Sequence, residues 1–217
     1  MKKKLIQGLD HHVKTIYCIG RNYAEHAKEL NNPVPTSPIV FLKPQSAICY
    51  NGDTIIIPQQ SNDVHHEAEI VVCISKSGKN ISELDAPSYI AGIGVGIDFT
   101  ARDIQQKAKE EGHPWAIAKG FDTFAPISNF IPIKDIPNAQ DISLQLLVNE
   151  EIRQSGNSSQ MIYSINTLIS YLSNIFTLHQ GDLIFTGTPS GVSSIKSGDS
   201  ITASLNTNMV TLSVSVK

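Results

Sequence analysis

The chain has 217 residues, of which 41% are hydrophobic and 17% are charged, and its formal net charge is −3. This length and composition predict one substantial hydrophobic core with at most a small appendage. Because the lysines and arginines are dispersed and acids outnumber them, the sequence predicts neither a nucleic-acid partner nor a membrane-surface partner.

The compartment is indicated by the N-terminus, the apolar runs and the cysteines. Met1–Ile6 is basic and then apolar, but Gln7 and Asp10 interrupt the run before it resembles a secretory signal. The longest apolar run, Ile90–Ile97, is too short to span a bilayer. An odd number of widely spaced cysteines predicts reduced thiols in the core, namely Cys18, Cys49 and Cys73. We therefore expect a cytoplasmic protein.

The first predicted elements are a strand at Thr15–Gly20 and a short helix at Arg21–Leu30, which Asn31-Asn32-Pro33 ends. On this helix His26 and Glu29 are three residues apart and so lie on one face. A carboxylate beside an imidazole can fix its tautomer, raise its basicity and make it a general base toward water. A solvated helix face carries the same pair, and the spacing alone favours that interpretation.

Two short strands at Ile39–Leu42 and Ile55–Ile57 lead to a longer strand at His65–Ile74, whose second half is rich in β-branched residues. Glu67 and Glu69 are two residues apart on this strand, so their side chains project to the same face. Two carboxylates this close repel each other unless a cation lies between them. The alternative is a strand end where both acids face water, which is common.

A second apolar strand, Ile90–Ile97, ends on another acid, Asp98. Its glycines alternate along one face, which is typical where another backbone or a ligand approaches closely. Three carboxylates without a well-placed cysteine or a spaced histidine pair predict an all-oxygen site for Mg²⁺ or Mn²⁺, with Ca²⁺ as a further candidate, and not for Zn²⁺. Three protein ligands leave positions on an octahedral ion for water and a chelating substrate, which favours a catalytic site.

The segment after these acids predicts a helix. Thr100 and Asp103 have the spacing of a capping box, and Gly112 is typical of a helix end. Arg102 and Gln105 share a face of this helix, where they suit a substrate carboxylate, although surface helices carry such residues equally often.

Lys119 follows the apolar run Trp115–Ala118 and is either a snorkelling surface residue or a cation held in a pocket. Its immediate sequence favours the surface.

The second half of the chain predicts mainly architecture. A hairpin turns at Asn149-Glu150-Glu151, and an amphipathic helix at Ser164–Phe176 has Ser164 as its N-cap. A buried strand then leads into Thr186–Gly191, a loop of glycine, threonine and proline that can present amides and hydroxyls to an anion, as ordinary turns also can. Strands beginning at Gly198 and Met209 complete the chain.

Six short motifs follow one another along the chain: Ile19-Gly-Arg-Asn-Tyr23, His26-x-x-Glu29, His66-Glu-x-Glu69, Gly96-Ile-Asp98-x-Thr100-x-Arg102-Asp103, Lys119 and Thr186-Gly-Thr-Pro-x-Gly191. In content and order they resemble the fumarylacetoacetate hydrolase family, and most of all its short branch of acylpyruvases and oxaloacetate decarboxylases. Each motif is weak alone, but six in register are specific, and together they extend over nearly the whole chain.

The resemblance implies an α+β, β-rich fold, a mixed β-sheet roll of the fumarylacetoacetate hydrolase C-terminal-domain type with peripheral helices. It implies one catalytic domain over residues 1–217, with a short N-terminal lead-in, and a homodimer.

The resemblance also implies site residues. Mg²⁺ or Mn²⁺ is expected at Glu67, Glu69 and Asp98. His26 and Glu29 are expected to form a water-activating dyad on a lid helix, and Lys119 is expected to reach the substrate. These roles replace the surface interpretations given above. The substrate-binding candidates are Arg21, Tyr23, Arg102, Gln105 and Thr188.

The function expected from these parts is divalent-metal-dependent cleavage of a carbon–carbon bond in a small 2-oxo or 2,4-dioxo acid. The metal would chelate the substrate and stabilise an enolate, as in acylpyruvate hydrolysis or oxaloacetate decarboxylation. A keto–enol tautomerase or a diene-dioate isomerase of the same fold is the first alternative, because it would use the same enolate. A non-enzymatic metal-binding domain is the second.

Overall fold

The computed structural model describes residues 4–29 and 33–217, and β-strands dominate this part of the chain. The strands are β1 (Leu5–Ile6), β2 (His11–His12), β3 (Ile16–Gly20), β4 (Ile39–Lys43), β5 (Ile48–Tyr50), β6 (Thr54–Ile55), β7 (Val64–His66), β8 (Ala68–Ile74), β9 (Ile90–Ile97), β10 (Thr100–Ala101), β11 (Ala125–Ile127), β12 (Ile131–Pro132), β13 (Ser143–Val148), β14 (Glu151–Asn157), β15 (Leu183–Phe185), β16 (Ser193–Ser194), β17 (Ser200–Leu205) and β18 (Val210–Val216). The α-helices are α1 (Ala24–Glu29), α2 (Arg102–Glu111), α3 (Ala116–Gly120) and α4 (Ile165–Ile175). Short 3₁₀ turns occupy Gln45–Ala47, Ala86–Tyr89, Ile133–Asp135 and Ser158–Gln160.

An eight-stranded mixed sheet forms the centre of the fold. Its strand order is β4-β3-β15-β8-β9-β11-β5, and β12 pairs with β9 beside this path. The pairs β3/β15 and β5/β11 are parallel, whereas β3/β4, β8/β15, β8/β9 and β9/β11 are antiparallel. The helices lie at its periphery, so the β-rich mixed-sheet fold predicted from the resemblance is confirmed.

A five-stranded sheet, ordered β14-β13-β17-β18-β6, packs against β8 and β9. The main hydrophobic core lies between the two sheets and includes Ile70, Val72, Val95, Leu146 and Ile201. A smaller cluster covers the other face of the eight-stranded sheet.

That smaller cluster contains Val71, Cys73 and Phe185. Residues of β8 therefore alternate between two apolar environments, as the pleat of a strand buried on both faces requires. Glu69 lies in register with Val71 and Cys73, so it belongs to the face that the smaller cluster covers.

Two elements predicted in the first half of the chain differ from those in the structure. The strand predicted at His65–Ile74 is divided at Glu67 into β7 and β8, which pair with different strands. The predicted helix at Arg21–Leu30 is shorter, because Arg21 has a φ of +58° that a helix cannot include. Leu30 and the predicted stop at Asn31-Asn32 lie outside the described residues.

The predicted capping box of α2 is wrong. Thr100 lies in β10, and the Asp103 carboxylate instead accepts hydrogen bonds from the Ser61 hydroxyl at 2.6 Å and the Asn62 amide at 2.8 Å. The predicted end is confirmed, because Gly112 adopts the left-handed conformation that commonly closes a helix.

The alternating glycines of β9 are explained by close packing. A Cβ at Gly92 would lie 2.5 Å from the Ile131 carbonyl oxygen on β12, and one at Gly96 would lie 2.6 Å from the Phe185 ring. The close approach predicted from the sequence is therefore confirmed, and a neighbouring backbone and a side chain make it.

The three cysteines are buried and free, as the sequence predicted. No helix among the described residues has both the length and the apolar character that crossing a membrane requires.

Candidate metal centre and active site

Three carboxylates meet where β8 and β9 run side by side. Glu69 lies opposite Gly96 in this antiparallel pair, and the Asp98 amide donates to the Glu67 carbonyl oxygen at 2.8 Å. The ligand oxygens of Glu67, Glu69 and Asp98 lie within 4.8 Å of one another, and all three residues are buried. The structure therefore brings together the three acids that the sequence singled out.

Their donor chemistry fits a hard divalent cation. Burial raises the pKa of Glu69 well above its ordinary value, and the charges of Asp98 and Glu67 raise it further. A cation among the three carboxylates would remove this repulsion. Because every donor is an oxygen, the set suits Mg²⁺, Mn²⁺ or Ca²⁺ better than Zn²⁺.

Glu69 is held by the loop that follows β15. Its Oε2 accepts a hydrogen bond from the Gly187 amide at 2.7 Å. Gly187 has a φ of +97°, and a Cβ there would lie 2.6 Å from the Cβ of Asn22. Only glycine allows the loop to come this close to Glu69 and to the segment after β3.

Two cations engage the acids from the helical side. Lys119 Nζ donates to Glu67 at 2.7 Å and to Asp98 at 2.6 Å, and Arg102 donates to Glu67 at 2.5 Å. Burial opposes ionisation of Glu67, but Lys119 and Arg102 hold its pKa well below the ordinary value. Burial also opposes the charge on Lys119, but Asp98 and Glu67 outweigh it and raise the pKa of Lys119.

The surface position that local sequence favoured for Lys119 is wrong. The side chain is 3% exposed because α3 packs against β4 and α2 and directs it toward the acids. No local pattern distinguishes this from a surface lysine, since the partners come from distant segments.

Lys43, at the end of β4, is a site residue that the sequence analysis missed. Its fully buried ammonium donates to the carbonyl oxygens of Phe99 at 3.0 Å, Phe124 at 2.9 Å and Lys119. It also lies 2.7 Å from Asp98 Oδ1. Because three carbonyls take up its three N–H groups, the contact with Asp98 is between charges and not a fourth hydrogen bond.

The predicted dyad is assembled on α1. His26 is buried, and its Nδ1 lies 3.3 Å from Glu29 Oε2, while Glu29 Oε1 accepts from the Gly191 amide at 3.0 Å. Since an ionised carboxylate only accepts, the neutral imidazole carries its proton on Nδ1 and keeps the Nε2 lone pair. Burial lowers the pKa of His26, although Glu67 and Glu29 act in the opposite direction.

A cavity of about 30 Å³, room for roughly one water molecule, lies among these groups. Nine predicted site residues line it: Arg21, His26, Glu67, Glu69, Asp98, Arg102, Gln105, Lys119 and Thr188.

Two predicted site residues do not line the cavity. Glu29 lies behind His26, and the Tyr23 hydroxyl is buried without a hydrogen-bond partner among the described residues. Burial raises the pKa of Tyr23, and the charge of Glu69 adds to this. Substrate binding by Tyr23 stays a prediction.

The wall of the cavity also contains Lys109 and Trp115, which the sequence analysis did not select. Burial lowers the pKa of Lys109, and the nearby charges of Arg102 and Arg21 lower it further. The site therefore concentrates positive charge around its carboxylates, and periodicity along α2 could have placed Lys109 near Arg102.

Comparison with known proteins agrees with this geometry. The family model "Fumarylacetoacetate (FAA) hydrolase C-terminal" matches residues 15–217. The mitochondrial oxaloacetate tautomerase FAHD1 of Arabidopsis thaliana is 45% identical over 205 residues, which are 94% of this chain and 92% of that protein. A mitochondrial oxaloacetate decarboxylase of Dictyostelium discoideum is 46% identical over 189 residues, 87% of each chain.

Comparison with a solved structure points to the same family. The fumarylpyruvate hydrolase of Pseudomonas aeruginosa, in complex with Mn²⁺ and pyruvate, superposes with a TM-score of 0.91 and 36% identity, covering 96% of this chain and 91% of the other. The family match extends over almost the whole chain, and the relatives are enzymes that act on small molecules. By sequence and by fold, this chain belongs to the fumarylacetoacetate hydrolase family.

Proposed function

We propose that this protein is a divalent-metal-dependent enzyme that cleaves a carbon–carbon bond in a small 2-oxo or 2,4-dioxo acid. The observation that carries the proposal is the convergence of Glu67, Glu69 and Asp98 in a buried site lined by cations. The relatives named oxaloacetate tautomerase and oxaloacetate decarboxylase, and the neighbour named fumarylpyruvate hydrolase, support a substrate of this class.

The charges around the site favour an anionic substrate. Glu67, Glu69 and Asp98 carry three formal negative charges, and Lys43, Lys119 and Arg102 supply three positive charges against them. A divalent cation would therefore leave the site with a net charge of about +2, which complements a dianionic oxo acid or its enolate. Arg21 and Lys109 add to this field from the cavity wall.

Glu67, Glu69 and Asp98 would hold the metal ion, preferably Mg²⁺ or Mn²⁺. When bound, such an ion supplies a Lewis acid that stabilises negative charge on a substrate oxygen.

His26 would act as the general base in hydrolysis. Its Nε2 lone pair can take a proton from water, and Glu29 holds the imidazole in the required tautomer through Nδ1. Lys119 would stabilise the oxyanion formed by water addition, while Arg102 and Gln105 would orient the substrate carboxylate.

A keto–enol tautomerase is the second candidate, because the Arabidopsis relative has that name and His26 could move a proton without an attacking water. A 2-hydroxyhepta-2,4-diene-1,7-dioate-type isomerase, the name of a solved structure with the same fold, would use the same enolate and move only protons. A purely metal-binding role is disfavoured, because a binding protein would have no need of the His26–Glu29 pair.

The test is turnover of acetylpyruvate and oxaloacetate by chelator-stripped protein, with and without Mg²⁺ or Mn²⁺. Metal-dependent formation of acetate and pyruvate in equal amounts would establish the hydrolase. Carbon dioxide release from oxaloacetate alone would establish a decarboxylase. Enol–keto conversion of oxaloacetate without cleavage would establish the tautomerase, and turnover unaffected by metal would contradict the proposal.

Glu69→Gln is the sharpest variant for this test. The carbonyl oxygen of the glutamine side chain can still accept the hydrogen bond from the Gly187 backbone N–H, and the uncharged side chain resembles the neutral carboxyl that burial favours. The fold should therefore persist while a metal ligand is weakened. Asp135→Ala, on the exposed surface, is the matched control. We expect the first variant to lose activity and the second to retain it.

His26→Ala distinguishes hydrolysis from decarboxylation. It should reduce acetylpyruvate hydrolysis far more than oxaloacetate decarboxylation, because only hydrolysis needs an activated water. Equal losses would argue against the water-activating role.

We further propose that residues 1–217 act as one catalytic domain, that the protein is a homodimer, and that it is cytoplasmic. The relatives cited above are mitochondrial by name. Light scattering of the purified protein would test the dimer.

A further inference from the structure

One buried amide interrupts an otherwise exposed strand. β14 is largely exposed or partly exposed along its seven residues, except for Gln154, which is 1% exposed. A buried glutamine must satisfy its carbonyl and its NH₂ group within the protein, so its partners define what it does.

A β-bulge turns this glutamine inward. Leu147 pairs with Ile152, but Leu146 pairs with Gln154, so Arg153 is the extra residue on β14. Without the bulge, Arg153 would lie opposite the buried Leu146 and Gln154 would lie on the outer face. The register shift therefore exchanges an arginine for an amide on the side that faces the catalytic sheet.

The hydrogen bonds of Gln154 fix the orientation of its amide. The Ala68 amide can only donate and lies 3.0 Å from Oε1, whereas the Pro189 carbonyl can only accept and lies 2.9 Å from Nε2. His66 Nδ1, 2.9 Å from Oε1, must therefore donate to it. The remaining N–H of Gln154 donates to Thr188 Oγ1 at 2.7 Å.

These partners link the two sides of the site. Ala68 is the first residue of β8 and lies between Glu67 and Glu69 in sequence, and Thr188 lines the cavity from the loop after β15. Gln154 thus connects the acid-bearing strand to the substrate-facing loop through one rigid, fully hydrogen-bonded side chain.

We propose that Gln154 is a positioning residue that makes the Thr188 hydroxyl a hydrogen-bond donor to an anionic oxygen of the substrate. The Thr188 oxygen accepts from Gln154, and within the described residues its own proton has no acceptor. That proton is therefore available to the cavity, where a 2-oxo acid would present carboxylate and carbonyl oxygens. The inference rests on the proposed function and adds the residue that sets the direction of this hydrogen bond.

The test is a double-mutant cycle on pyruvate binding to the Mn²⁺-loaded protein, measured by calorimetry. The variants are Gln154→Met, Thr188→Val and the double substitution. Each single change should weaken pyruvate binding about tenfold, the effect of losing one buried hydrogen bond. The double variant should be no weaker than the weaker single variant, because both changes remove the same interaction. Mn²⁺ affinity, measured separately, should be unchanged.

Gln145→Met is the matched control. Gln145 lies on the adjacent strand β13, its side chain makes no hydrogen bond within residues 4–29 and 33–217, and the chemical change is identical. It should bind pyruvate like the unmodified protein. If Gln154→Met does not fold, Gln154→Glu keeps the acceptor for Ala68 but removes the donor to Thr188, and it should show at least the same loss.

The outcomes separate the two proposals. Additive losses in the cycle, or unchanged binding in both Gln154 variants, would overturn the positioning role while leaving the enzyme assignment intact. If the unmodified protein neither binds pyruvate nor turns over any 2-oxo acid, the proposed function fails and this inference fails with it.

Discussion

Two of the three buried acids at the site have opposing charges from other parts of the chain. Asp98 lies between Lys43 and Lys119, and Glu67 lies between Lys119 and Arg102. Breaking one partner of such a pair leaves an uncompensated charge in a medium that solvates it poorly. Single substitutions here should therefore affect stability as well as catalysis.

Lys43→Met should be strongly destabilising. The change removes the side-chain donor from the carbonyls of Phe99 and Phe124, of which that of Phe124 keeps the Phe99 amide as a donor, and it removes a cation next to Asp98. We expect a loss of about 3–5 kcal/mol in the free energy of unfolding, the range for breaking a buried ion pair. Urea denaturation measures it.

Lys107→Met is the control for that prediction, because Lys107 is exposed and its distance to Glu111 is 3.9 Å. Its unfolding free energy should change by less than about 0.5 kcal/mol. Equal midpoints for the two variants would mean that Lys43 is not required for the fold.

Glu29→Gln should move the acidic limb of the pH–rate profile to lower pH. The proposed base is neutral His26, so kcat/KM should fall as pH falls through the pKa of His26, which burial places below 6.5. Glu29 raises that pKa, so removing its charge lowers it further. The measurement is kcat/KM for acetylpyruvate across this limb.

Glu25→Gln on the same helix is the control, because Glu25 pairs with Lys28 at the surface. Its profile should match that of the unmodified protein. A limb that shifts to higher pH in Glu29→Gln would be incompatible with His26 as the base.

At the scale of elements, α4 shows how a local sequence pattern, an N-cap followed by an apolar stripe, contributes to stability. Ser164 accepts a hydrogen bond from the Thr167 amide at 3.1 Å, as the predicted N-cap requires, and Leu168 and Leu172 are buried on the core face. Ser164→Ala should cost about 1 kcal/mol of unfolding free energy. Ser164→Asp restores a hydrogen-bond acceptor and should recover most of the lost unfolding free energy in the same denaturation experiment. Equal unfolding free energies for Ser164→Ala and Ser164→Asp would argue against a stabilising cap.

Elements were predictable where their pattern is local. The strand at Ile90–Ile97 and the end of α2 at Gly112 agree with the structure because burial on both faces and a left-handed C-terminal residue leave local marks. The division between β7 and β8 leaves no such mark, since it depends on β7 pairing with β10 and β16, and β8 with β9 and β15. The bulge at Arg153 likewise depends on its partner strand.

At the scale of the whole molecule, a divalent cation should couple to folding. Binding among Glu67, Glu69 and Asp98 requires the folded arrangement of β8 and β9, so the ion stabilises the native state alone. Mn²⁺ at a hundred times its dissociation constant should add about 2.7 kcal/mol and raise the melting temperature of chelator-stripped protein. Glu69→Gln should reduce this shift, and an identical shift in that variant would place the stabilising ion elsewhere.

The sequence by itself determined the β-rich class, the family resemblance and the three acids, because strand periodicity and short motifs are local properties. Tertiary structure alone decided the buried positions of Lys43 and Gln154, and it shows which partners hold Lys119 in the interior. Each of these side chains has hydrogen-bond partners that lie far away along the chain, from 21 residues between Lys119 and Asp98 to 88 between Gln154 and His66. What a buried polar group does depends on the groups to which it is hydrogen-bonded, and only the folded chain brings those groups together.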